Sequence, residues 1–174
     1  MPFSTLKVII DTGSWLKLDL LENKKLFSVQ SVYDWTKVII THQVEEEVVH
    51  FRCSSYVQSE TQIVPIENRQ IYDECLSIGF DEADASIASL FPSTNNQNER
   101  KEDYIVVSED KPLLDYLHMK DIYAIQLIEL FLIFTDMRKI QGKLFYRLVK
   151  ILQDLRNITK KKMNSLLDWK SGHL

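Results

Sequence analysis

The run Leu6-Lys7-Val8-Ile9-Ile10 constrains this chain more than any other stretch. It is too short for a helix, rich in β-branched residues, and apolar on both faces that a strand would present. Such a run needs cover from two sides, which makes it a strand of a parallel sheet rather than the half-wet strand of an antiparallel one. Tyr104-Ile105-Val106-Val107 repeats the pattern, and Lys37-Val38-Ile39-Ile40 closes a third apolar segment that begins near Ser31.

Each of these segments runs into turn or cap chemistry and then into a helical pattern. Thr12-Gly13-Ser14 precedes a helix over Trp15 to Leu21, and Thr41 precedes one whose apolar stripe is Val44, Val48 and Phe51. Ser108-Glu109-Asp110 precedes a helix from Lys111 to Met119. Between them, Ile63 to Ile66 is a shorter apolar piece, Arg69 to Leu76 reads as helix, and Glu82 to Leu90 reads as a small-residue helix around Ala83, Ile87 and Ala88. Tyr123 to Ile125 supplies a further strand, and residues 127 to 170 read as helices only, with an amphipathic run over Leu144 to Leu155 and a short last helix after Thr159. Alternation of this kind predicts an α/β three-layer sandwich with a mostly parallel central sheet, followed by C-terminal helices. At 174 residues one core is expected: a domain over residues 1–135 and a basic helical extension over 136–174. Phe91 to Asp103 (FPSTNNQNERKED) reads as a surface loop.

Bulk charge excludes some functions and points to others. Net charge is −4, but residues 138–174 carry ten Lys or Arg against two acids, a net of +8. Residues 1–137 carry 23 acids against 11 bases, a net of −12. An acidic body suits a carboxylate cluster that holds cations, and a basic tail suits either a phosphate backbone or an ordinary solvated helix face. Two cysteines without framework spacing and no export signal predict a cytoplasmic protein, and no stretch is apolar over the roughly 20 residues that span a bilayer. Trp15, Trp35 and Trp169 read as core or interface aromatics. Apolar residues of the last helices, Leu152, Leu155 and Trp169, predict a homodimer or partner interface. His50 and Cys53 are spaced for one side of a zinc site, but no second pair completes it.

The chemistry concentrates where strands end. Asp11 follows KVII, and Asp110 stands three residues after YIVV. Ligands of open parallel sheets bind beyond the carboxyl ends of strands, so these two acids can converge there; the alternative for either alone is a helix cap. Two helix-borne acids join them. Glu47 stands three residues after Val44, beside the apolar stripe, with Glu46 as a rival. Asp84 stands three before Ile87, with Asp81 as the cap and Glu82 as a spare. Carboxylates packed together repel one another unless a cation intervenes, and hard oxygen ligands suit Mg2+ or Mn2+.

The segments IIDTGSW, THQVEEEVVHF, DEADASIASL and IVVSEDKPL, in that order, resemble the PIN-domain family of metal-dependent nucleases, over about residues 6–130. The resemblance implies that Asp11, Glu47, Asp84 and Asp110 form a site for Mg2+ or Mn2+, with Thr12 and Ser108 supporting them or serving only as turn hydroxyls. It implies hydrolysis of RNA phosphodiesters to a 5′-phosphate and a 3′-hydroxyl, as in the toxin of a toxin–antitoxin pair, which would bring an antitoxin protein as partner. The competing expectations are a catalytically silent PIN-like scaffold for RNA or protein, and a phosphohydrolase of small substrates.

Overall fold

The computed structural model describes residues 6–91 and 104–155. The expected loop beyond Phe91, the helix after Thr159 and Trp169 lie outside them. In chain order the elements are β1 (Leu6–Ile10), α1 (Thr12–Asn23), α2 (Gln30–Trp35), β2 (Thr36–Thr41), α3 (His42–His50), β3 (Gln62–Val64), α4 (Arg69–Ser77), α5 (Glu82–Ala88), β4 (Tyr104–Val107), α6 (Lys111–Met119), β5 (Ala124–Ile125), α7 (Leu127–Asp136) and α8 (Gly142–Asp154). A turn of 3-10 helix, Gln58–Glu60, precedes β3.

The sheet has the order β3-β2-β1-β4-β5, and every neighbouring pair is parallel. Helices flank it, giving the α/β sandwich that the apolar strands predict. Val8 and Ile10 of β1 and Val106 and Val107 of β4 are fully buried, as two-sided cover requires. Trp15 of α1 is buried too, against the rings of Tyr33 and Tyr56. The edge strands β3 and β5 are the shortest, which leaves little unpaired backbone to recruit another chain.

The order reverses at β1, with β2 and β3 on one side and β4 and β5 on the other. At such a switch point the two neighbouring connections leave in opposite directions and open a crevice outside the strand ends. The Asp11 N–H donates to the Val107 carbonyl at 3.0 Å, which carries the pairing of β1 with β4 up to the rim of that crevice.

Contacts divide the chain into compact units after Ile125, so α7 belongs with α8; sequence pattern alone drew the line at 135/136. In the second unit, a capping box between Gln126 and Glu129 starts α7. Exposed Lys143, Arg147 and Lys150 fall on one stripe of α8. Among the described residues no helix is long and apolar enough to cross a membrane.

Two expectations fail. Phe51 is not on the core stripe of α3 but 54% exposed. The helix ends one residue earlier, because Arg52 adopts a left-handed φ of 55° and the Arg52 and Cys53 N–H groups bond back to Val49 and Val48. Leu152 is buried, 2% exposed, so it cannot offer an interface, whereas Leu155 is exposed.

One hydroxyl pair sets the height of α5 on the sheet. Thr41 at the end of β2 accepts from the Val44 N–H (3.3 Å) and thereby caps α3. The Ser86 hydroxyl of α5 donates to the Ala83 carbonyl (2.6 Å), so across the 2.6 Å contact between the two side chains it is Thr41 that donates. Both residues are fully buried. Thr41→Val therefore removes a cap and strands a buried acceptor, and should cost roughly 1–3 kcal/mol, read as a lower urea midpoint at unchanged slope. An unchanged midpoint would show that the hydroxyl pair holds nothing in place.

Candidate functional site

Asp11 is 4% exposed and ends β1 as the N-cap of α1. Its Oδ1 accepts from the Ser14 N–H at 2.7 Å, and its Oδ2 accepts from the Ser108 hydroxyl at 2.5 Å and the Glu109 N–H at 3.1 Å. One carboxylate thus fastens the β1–α1 turn to the β4–α6 turn. The Ser108 hydroxyl accepts in turn from the Asp110 N–H at 3.0 Å, and Asp110 caps α6 by accepting from the Leu113 N–H at 2.8 Å. The cap reading of both aspartates and their convergence hold together: capping is what orients them.

Glu47 comes from α3, and the Thr12 hydroxyl donates to it. The other two acids of its triplet go elsewhere. Glu45 accepts from the Tyr56 hydroxyl and from Gln58, each at 2.9 Å, and Glu46 lines an adjoining groove, which Glu47 shares, with Gln43, His50, Phe51 and Glu82. The phase argument from Val44 therefore selects the acid that reaches the crevice. Asp84 lies in the first turn of α5, whose cap is Asp81, accepting from the Asp84 N–H at 2.8 Å.

These elements bring Asp11, Glu47, Asp84 and Asp110 to one cleft of about 270 Å³, together with Asp81 and Glu109. Thr12 and Ser108 each hold one of the four by a hydrogen bond. Sequence reasoning left Glu109 out, although it stands between two residues that were singled out. Its partner Lys17, whose Nζ meets Glu109 Oε2 at 2.5 Å, carries no signal in the sequence, being 92 residues away.

Electrostatics follow from the crowding. Burial pushes the Asp84 carboxyl up to about 8, and the nearby charges of Asp81, Asp110, Asp11 and Glu47 push in the same direction. Hard carboxylate oxygens in an electronegative cleft fit a divalent cation such as Mg2+ or Mn2+ in donor type and in charge. Among the described residues, however, no three His, Cys, Asp or Glu side chains stand in a geometry closed on an ion. Asp11 accepts from protein donors on both oxygens, and Asp110 and Glu47 on one each.

Comparison with family models, curated proteins and solved structures finds no match for this chain.

Asp84 makes the cleft testable without any ion. Its carboxyl is pushed up to about 8 in the folded chain from the ordinary aspartate value of 3.8, so between those values the folded state holds a proton that the unfolded state has lost. Stability from this group is complete below the lower value and is lost as pH rises through the higher one. With chelator present, the melting temperature of the wild type should fall by several degrees more than that of Asp84→Asn between about pH 5 and about pH 8.5. Equal falls in the two proteins would remove the crowding that the cleft implies.

Proposed function

We propose that this chain is a divalent-metal-dependent endoribonuclease. The observation that carries the proposal is the meeting of four carboxylates from four separate elements in one cleft at the switch point of a parallel sheet. Structural acids do not need to gather. Burial and repulsion among them are standing costs, and Asp84 registers both, burial the more. The resemblance to PIN domains supports RNA as the substrate and a 5′-phosphate and 3′-hydroxyl as the products.

Asp11, Asp84 and Asp110 would hold Mg2+ or Mn2+ directly or through water, and Glu47 would be a ligand or would orient the attacking water. When bound, the cation neutralises charge on the phosphate and lowers the pKa of that water. The protein then needs no nucleophilic side chain. The Ser108 hydroxyl orients Asp11 and the Thr12 hydroxyl orients Glu47, which is how outer groups tune a ligand set. Lys143, Arg147 and Lys150 supply an exposed basic stripe of the kind that meets phosphate backbones. The toxin role, with an antitoxin as partner, is the form of this activity that the resemblance favours.

One observation favours a second reading. Asp11 accepts three hydrogen bonds from protein donors, of about four that a carboxylate can take, as an acid with a structural duty would. On that reading the chain is a PIN-like scaffold that binds RNA or protein without cutting.

Cleavage of a mixed RNA pool with Mn2+, Mg2+ or chelator, run beside Asp84→Asn, separates the two. The nuclease reading requires metal-dependent cutting that chelator abolishes and that the variant lowers by about a hundredfold or more. RNA retained on the protein with no cutting in any metal would leave the scaffold in its place.

A further inference from the structure

A second groove opens beside the cleft and shares Glu47 with it. At about 430 Å³ it falls in the range of about 300–1,000 Å³ that small-ligand sites occupy. One face of α3 forms its wall, since Gln43, Glu46, Glu47 and His50 follow one another at helical spacing, and Glu82 of α5 lines it too. Phe51 completes the lining. The left-handed Arg52 ends α3 just there and leaves the Phe51 ring 54% exposed, edge-on to His50 with the ring centroids 5.4 Å apart.

The acids of this neighbourhood are not equivalent. Glu45 accepts from Tyr56 and Gln58, and Glu47 accepts from Thr12. Glu82 sits in the first turn of α5, where the helix dipole favours a carboxylate. Glu46 is exposed, lies past the first turn of α3 and accepts from no donor among the described residues, so its oxygens are open to a ligand. Gln43, three residues earlier on the same face, has its Oε1 buried without a donor among the described residues. An amide oxygen taken from water and left unpaired is a cost, and it leaves that amide unfixed by the protein.

Three carboxylates around the groove repel phosphate, so an RNA strand with a phosphate in the cleft can send only an uncharged base into it. An exposed ring at the groove is a surface on which a splayed base stacks. Guanine is the base whose Watson–Crick edge presents two adjacent donors, N1–H and N2–H, which match the two oxygens of one carboxylate. Beside them stands O6, an acceptor for an amide N–H. Resting on the nuclease reading above, we propose that Glu46, Gln43 and Phe51 form a guanine subsite beside the cleft: Glu46 accepts from N1 and N2, Gln43 donates to O6, and Phe51 stacks on the base.

This subsite uses no ion, so the test is made on the full chain with chelator present. The probes are the uncharged nucleosides guanosine, inosine, adenosine, cytidine and uridine, followed by NMR shifts of the backbone amides. Inosine differs from guanosine only in lacking the N2 amino group. Guanosine should move the amides of Glu46, Glu47 and Phe51 and bind about tenfold more tightly than inosine. Glu46→Gln should bring that ratio close to one, and Phe51→Ala should weaken both nucleosides about tenfold alike. Both side chains are exposed, so both variants should fold as the wild type does. Equal binding of guanosine and inosine, shifts remote from α3, a ratio that survives Glu46→Gln, or no binding at all overturns the proposal. A blocked arginine that moves the same amides while no nucleoside does would give the groove to a basic protein segment, and overturns it too. RNA cleavage in Mn2+ is read separately: cutting without guanosine binding overturns the subsite alone, and guanosine binding without cutting overturns the nuclease reading alone.

Discussion

The carboxylate of Asp11 is the interaction on which the rest of the cleft depends. Three donors converge on it, from the first turn of α1, from the Ser108 side chain and from the Glu109 backbone. Without it, the turns that carry Thr12 and Asp110 would be tied only by backbone pairing, the weak Ser14 bond to the Val107 carbonyl and the Lys17–Glu109 pair. A hydrogen bond to a charged group contributes about 1.5–3 kcal/mol. That is enough to define one arrangement of two turns, and it comes from a side chain that also faces the crevice. Capping thus uses oxygens of a residue that lines the crevice.

The long-range frame was legible in the sequence because burial leaves a plain trace. Two-sided cover made β1 and β4 apolar throughout, and the aspartates that follow them marked the carboxyl edge where the crevice opens. The i+3 relation to Val44 singled out Glu47 among three consecutive acids, and Glu47 is the one of the three that lines the cleft. Edges and ends were less legible. β3 and β5 are three and two residues long and leave almost no pattern, and α2 is a six-residue helix inside a stretch that read as the approach to a strand.

Helix ends were obscured for a specific reason. Lys25, Arg52, Asp121 and Arg138 occupy left-handed positions just past α1, α3, α6 and α7, where glycine would have announced the stop. Only after α4 does a glycine, Gly79 at φ 103°, take that role. The misplacement of Phe51 is a direct consequence. Ion pairs across the fold were not legible at all, since nothing in the neighbourhood of Lys17 or Glu109 points from one to the other. What a single chain writes down is periodicity and local caps; pairings between distant charges belong to topology.

The order of the sheet also dictates when the cleft can exist. Asp11 and Ser108 are 97 residues apart, and β1 has its other neighbour, β2, close at hand in the chain. Closing the longer loop costs more entropy and is rewarded only after β4 has docked, so pairings of this kind come late and slowly in folding. As the chain emerges from synthesis, Asp11, Glu47 and Asp84 are all present before Ser108, Glu109 and Asp110 have been added. Until then, β1 carries an unpaired edge, and the first three acids lack the turn that would gather them. The cleft is thus assembled in one terminal event, and a chain halted before β4 would hold three of its four carboxylates with no means of aligning them.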